Sequence, residues 1–225
     1  MSPQKFCTAS WTPLSGATGT IELVDLSVCD DCGQEIDLGF EFMWLGGTST
    51  ISKVYVSTNG HILINPGDND NTYQLHAIGD NDKPRIAVAQ EDLDLRSSDS
   101  VTGGHLYIQK SASSIIISYE QVRFYPQVGS GINAQAHIFA NGRVNICFGS
   151  GSIPPTHSSD TTNEIPNKIA SGLEGGENDL VYGGSEGAIA APLPGIPFDS
   201  DGLALVWPTA NSCYCFSPST KTWFI

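Results

Sequence analysis

The chain has 225 residues, enough to bury a core and within the range of a single all-β domain. Hydrophobic residues make up 40% and charged residues 15%, with 24 acidic against 10 basic side chains and a formal net charge of −14. That balance argues against nucleic acid, which needs cations against its phosphates, and against an anionic membrane surface. No apolar run reaches the length of a membrane span, so no membrane insertion is expected.

In chain order, "MSPQKFCTASW" lacks a positive segment followed by an apolar one. Either the protein is not exported or a targeting segment has been removed ahead of it. Next comes "CDDC", from Cys29 to Cys32. With Cys7, Cys147, Cys213 and Cys215 it makes six cysteines, which allow three disulfides in fifteen pairings. "CDDC" and "CYC" could instead offer four thiolates to a zinc, at looser spacing than two CxxC pairs. A disulfide tying the chain ends, or free thiols, are the plainer readings. Cys147 stands in an apolar strand and reads as a small buried hydrophobe.

Strands follow. "SKVYVST" puts Val54 and Val56 on one face, and "GGHLYIQK" does the same with Leu106 and Ile108. "SSIIISYEQV" aligns Ile115, Ile117 and Tyr119, and "NAQAHIFANG" sets Ala134, Ala136 and Ile138 opposite Gln135, His137 and Phe139. This alternation predicts half-buried β-strands. The intervening segments are rich in Gly, Pro, Asn, Asp and Ser, which form turns. With 24 Gly and 13 Pro, no long helical period survives, so few or no helices are expected.

Two hairpins repeat each other. "VSTNGHILINPG" and "IFANGRVNICFG" each carry Asn-Gly between apolar strands, the strongest short hairpin signal. Asn59-Gly60 and Asn141-Gly142 lie 82 residues apart (141 − 59). The same offset pairs Phe42 with Phe124, Gly47 with Gly129, Ile62 with Val144, Ile64 with Ile146, Gly67 with Gly149 and Pro84 with Pro166. Turn chemistry alone explains the Asn-Gly pairs but not the shared register beyond them. The expected fold is a two-sheet antiparallel β-sandwich of two pseudo-two-fold-related repeats, about 36–118 and 119–208, within one domain of residues 1–212. Residues 213–225 are expected as an apolar tail.

Chemistry is sparse. Glu91, Asp92 and Asp94 of "QEDLD" crowd one turn, whereas a glycoside-cleaving pair must face across a groove. A structural turn is the plainer reading, and no catalytic residue is assigned. The histidines, His61, His76, His105, His137 and His157, show no metal spacing; His61 and His137 read as surface side chains beside the two turns. "GDNDNTY" (67–73) and "GDNDKP" (79–84) hold hard oxygen ligands but lack an EF-hand's glycine and distal Glu, so solvated acidic turns are expected rather than calcium sites. No metal and no cofactor are assigned.

The stretch "CYCFSPSTKTWFI" ends in Trp223, Phe224 and Ile225. Such bulk needs burial, either on its own sandwich or in a neighbouring molecule as a hook. Trp223, Phe224, Ile225 and Phe216 are the candidate self-association residues.

"VYVSTNGHILI", "PRIAVAQEDLDL", "GGHLYIQ", "IIISYEQVRFY", "NAQAHIFANGRVNICFG" and "IASGLEGG" follow, in order, the motifs of nidogen-like β-sandwich domains. The chain resembles that family from about Phe40 to Glu174. The usual aromatic before the acidic turn is Gln90 here. The later "AAPLPGIPFDSDGLALVWPTANSCYCF" looks like a continuation found in marine-algal relatives, a subgroup that includes the pyrenoid shell proteins of diatoms. That resemblance implies a non-enzymatic structural protein that assembles with itself, and with Rubisco condensate or other shell paralogues as further partners. It implies the plastid stroma, at the pyrenoid periphery. The alternative reading is an extracellular adhesion or carbohydrate-binding module, calcium-dependent or not.

Overall fold

A computed structural model describes residues 7–46, 50–64, 83–97, 103–125, 128–151, 169–174, 207–219 and 222–225. Among these residues the regular secondary structure is almost entirely strand. In order the strands are β1 (Thr20–Glu22), β2 (Gly33–Met43), β3 (Thr50–Ser57), β4 (His61–Leu63), β5 (Arg85–Gln90), β6 (Leu93–Asp94) and β7 (His105–Lys110). They continue with β8 (Ser114–Phe124), β9 (Val128–Phe139), β10 (Val144–Phe148), β11 (Ala170–Glu174), β12 (Ser212–Ser217) and β13 (Thr222–Phe224). The only helical element among the described residues is a short 3-10 turn, Trp44–Gly46.

Two antiparallel sheets form the sandwich. The larger runs β1-β7-β8-β9-β10-β12-β13, with β6 paired to β8; the smaller runs β11-β5-β4-β3-β2. The alternation read from the sequence sets the inner faces. Val54, Val56, Ile62 and Ile86 of the small sheet and Leu106, Ile117, Ala136, Ile146 and Phe216 of the large one all belong to one core. Tyr119 ties the layers together. Its ring is buried in the core, and its hydroxyl donates to the Ser57 carbonyl (2.8 Å) across the sandwich. Burial pushes its pKa well above that of an ordinary phenol.

The halves share their strand order up to a point. β2-β3-β4-β5 of the first half and β8-β9-β10-β11 of the second occupy matching sequence positions at the 82-residue offset. Both halves run their first three strands as a meander. The fourth differs: β5 stays beside β4, while β11 crosses to pair with β5, leaving β12 beside β10. The expected repeat boundary at 118/119 falls inside β8. Gly47, Gly67 and Pro166 lie outside the described residues.

Residues 213–225 are not a tail outside the sandwich. They supply most of β12 and all of β13, with Phe216 facing Trp223. The cysteines also depart from expectation. Cys7–Cys215, Cys29–Cys32 and Cys147–Cys213 are bonded pairs. Cys147 is therefore not a free buried thiol: β10 pairs with β12 so that Cys147 and Cys213 stand directly opposite. The four thiols considered for zinc are divided among three disulfides. The reading of a disulfide linking the chain ends corresponds to Cys7–Cys215.

Candidate functional site

Among the described residues, two places concentrate polar groups. The first is an acidic corner where three sequence motifs meet. The β3–β4 turn carries Asn59-Gly60, with Gly60 at φ 74°. A Cβ on Gly60 would lie 2.2 Å from the Ala89 carbonyl oxygen, so only glycine fits. Asn59 is fully buried. Its Nδ2 donates to Asp31 Oδ1 (2.8 Å), and its Oδ1 accepts from the Leu93 N–H (2.9 Å). The Cys29–Cys32 loop closes the corner, and the Thr58 N–H donates to the Cys32 carbonyl at 2.7 Å.

This geometry gives "QEDLD" its place. Glu91, Asp92 and Asp94 are all buried in one turn against the hairpin. Arg96 clamps Asp94 through Nε and a terminal nitrogen, both at 2.9 Å, and reaches Asp30 Oδ2 at 2.8 Å. Asp94 holds the Arg96 pKa above its ordinary value. Asp30 goes the other way for a carboxylic acid: burial, then the nearby Asp94 charge, raise it to about 6 although Arg96 opposes them. Its Oδ1 is buried without a hydrogen-bond partner.

Asp30, Asp31 and Asp92 bring carboxylate oxygens within 4.8 Å of one another, a donor set suited to a hard cation. Sequence spacing could not show this, because Asp92 stands 61 positions after Asp31 (92 − 31). Most of the acidic turns considered for calcium, 67–73 and 79–82, lie outside the described residues.

The second place is the outer face of the large sheet. Residues 7–15 cross it, pinned by Cys7–Cys215 and by the Leu14 N–H on Glu120 Oε1 (2.5 Å). Beneath them runs a buried polar chain. Ser118 donates to Glu120 (2.9 Å), Gln135 Nε2 donates to Ser118 (3.0 Å) and to the Thr12 carbonyl (2.5 Å), and His137 Nε2 meets Gln135 Oε1 (3.1 Å). His137 is half-buried rather than a free surface histidine, and His61, 1% exposed, is buried outright. Burial, aided by the Arg143 charge, drops the His137 pKa to about 4.

At the end of this chain opens a pocket of about 740 Å³. Its lining includes His137, Phe139, Arg143, Asn145, Ser217 and Phe224. The four self-association candidates divide. Phe216 is core, Trp223 is half-buried and stacked edge-on to Phe216 at 5.5 Å, Phe224 lines the pocket, and only Ile225 is well exposed. His105 pairs with Glu22 at 2.7 Å across β7 and β1; His76 and His157 are outside the described residues.

No curated protein and no solved structure matches the chain significantly. A family model described as NIDO related matches residues 5–218, nearly the whole length, and takes in both hairpins, the acidic turn and β12. The chain therefore belongs to the NIDO-related family.

Proposed function

We propose that the protein is a non-enzymatic binding module, an adhesion or carbohydrate-binding β-sandwich that works in an oxidising, extracellular setting. One observation carries this reading: all six cysteines are paired. Disulfides persist where glutathione and thioredoxin do not reduce them. Cys7–Cys215 closes a loop spanning 208 positions, for which chain entropy gives roughly 5 kcal/mol. A protein that relies on such a staple gains little in a reducing compartment. The buried, clustered carboxylates of "QEDLD" support a structural rather than a catalytic role. The calcium dependence expected of one form of this module would be centred on Asp30, Asp31 and Asp92. The test is thiol counting on protein from its native source, denatured without reductant, together with binding to a glycan panel. Fewer than one free thiol per chain and saturable glycan binding are expected. Six thiols and no glycan binding would sink the proposal.

A second reading is self-assembly into a shell around the Rubisco-filled pyrenoid of an algal plastid, as the diatom resemblance implies. Its support is a set of exposed apolar side chains on β1 and just after it: Ile21, Val24 and Val28, of which Val28 is 76% exposed. Such a set suits contact with a second copy. Against it, the long edge strand β2 carries exposed Glu35, Asp37 and Glu41, which discourage edge-to-edge pairing. Light scattering that climbs steeply with concentration, and falls with Val28→Asp, would favour the shell. Scattering that stays at the monomer value would remove it.

A further inference from the structure

The pocket on the outer face of the large sheet contains polar groups that the fold leaves unanswered. Asn145 is 1% exposed, and its Oδ1 meets no hydrogen-bond partner. A buried acceptor without a donor costs stability, so its presence calls for an explanation. Arg143 is half-buried, and its Nε is likewise buried without a partner. Its guanidinium lies over the Phe139 ring, 4.1 Å from the centroid. Among the described residues no carboxylate pairs with it, although the chain carries 24 acidic side chains. Among the described residues this cation thus stands apart from the anions that the chain has in excess.

The third group is His137. Gln135 Nε2 already donates to Ser118 and Thr12, so Gln135 Oε1 is the acceptor and His137 Nε2–H the donor between them. That leaves Nδ1 of the neutral ring as an acceptor. The pocket thus offers one planar cation and two acceptors, with Phe224 as a further aromatic wall. A ligand that answers all of them has a carboxylate for the guanidinium, hydroxyl donors for Asn145 Oδ1 and His137 Nδ1, and C–H faces for the ring.

We infer that this pocket binds a sugar acid, a hexuronate at the end of a glycan or in a short oligouronate, with Arg143 on its carboxylate and Asn145 on a hydroxyl. The inference rests on the binding-module reading for the class of ligand and goes beyond it in naming the site and the unit. The net charge of −14 repels a polyanion at range, so a terminal or short unit is favoured over a long run of uronates.

The experiment is calorimetric titration of the full chain with galacturonate, its di- and trisaccharides, neutral glucose and galactose, and inorganic sulfate. Arg143→Gln and Asn145→Ala are compared with the native protein, and thermal melts establish that both are folded. Saturable uronate binding is expected, weakened at least tenfold by Arg143→Gln and several-fold by Asn145→Ala. Asn145→Ala is expected to melt no lower than the native protein, since it removes an unanswered acceptor. A uronate isotherm unchanged in both variants overturns the pocket while leaving the module reading intact. Binding of a neutral glycan only, at a site neither variant affects, does the same. No binding of any sugar overturns both. Sulfate binding as tight as uronate reduces the site to an anion hole and overturns the sugar-acid assignment. Should Arg143→Gln fail to fold, Arg143→Lys carries the test, because it keeps the charge and loses the planar fork.

Discussion

Asn59 and Leu93 stand 34 positions apart, yet the Asn59 amide oxygen accepts the Leu93 backbone N–H at 2.9 Å. Both residues are fully buried. This bond locks the first Asn-Gly hairpin to the acidic turn. Asn59→Ala should therefore leave the Leu93 N–H buried and unpaired, at a cost of about 2 kcal/mol or more. Urea denaturation reads the loss. A change below about 0.5 kcal/mol, the size expected of an ordinary surface substitution, would mean that the two motifs are not coupled.

The two hairpin glycines should not be equivalent. Both have positive φ, 74° at Gly60 and 82° at Gly142. A Cβ at Gly60 meets the Ala89 carbonyl oxygen at 2.2 Å; at Gly142 the nearest atom is the Met43 carbonyl oxygen at 2.9 Å. Gly142→Ala should cost roughly 1–2 kcal/mol, through the strained φ and a tight approach to the Met43 carbonyl. Gly60→Ala drives a much deeper backbone clash and should cost roughly twice that or prevent folding. Equal melting temperatures for the two variants would contradict the close packing at Ala89.

Two titrating groups should tilt the pH profile in opposite directions. His137 has its pKa lowered from 6.5 to about 4 by burial. The unfolded chain then binds the extra proton between those values, so stability is full above pH 6.5 and is lost as pH falls toward 4. The whole effect is about 3 kcal/mol at 1.36 kcal/mol per unit. His137→Gln should abolish that slope.

Asp30 behaves the other way. Its pKa rises from 3.8 to about 6, so the folded state holds the extra proton. Its contribution is present below pH 3.8 and is lost as pH rises through 6. Asp30→Asn should flatten that decline and leave the protein more stable at pH 7 than the native chain. Millimolar calcium should do likewise if the corner takes a cation, and the variant should then cease to respond. Stability curves of native and variant protein from pH 3.5 to 7.5 test both groups.

Removing Thr222 to Ile225 should damage the fold rather than release a monomer from an assembly. It deletes β13, uncovers Phe216 and removes the carbonyl of Ile225 that accepts from the Cys7 N–H at 3.3 Å. Loss of the half-buried Trp223 contact alone should cost about 2 kcal/mol. A truncated chain that melts like the native one would return these residues to the role of an external hook.

Much of the architecture was legible because it rests on local periodicity. Val54 and Val56, Ile115 and Ile117, and Ala134 and Ala136 point inward where alternation placed them. Asn-Gly marked both turns because those residues tolerate positive φ. What misled was the outer face. Gln135 and His137 alternate with apolar residues and so read as solvent-facing, but residues 7–15 fold back across them. No local pattern announces that a segment more than a hundred positions away will cover a sheet.

The sequence by itself determined the central strands, the two hairpins and the all-β class, because side-chain alternation and turn conformation are decided by neighbours within a few residues. Tertiary structure alone decided which cysteines pair, that β11 joins β5 in the smaller sheet, and that β13 forms an edge of the larger one. It alone brought Asp92 to Asp30 and Asp31, and Arg143 and Asn145 to the edge of β12. These groups meet through strand pairing and layer packing over separations of tens to hundreds of residues. There, burial of a shared core outweighs any local preference that could be read along the chain.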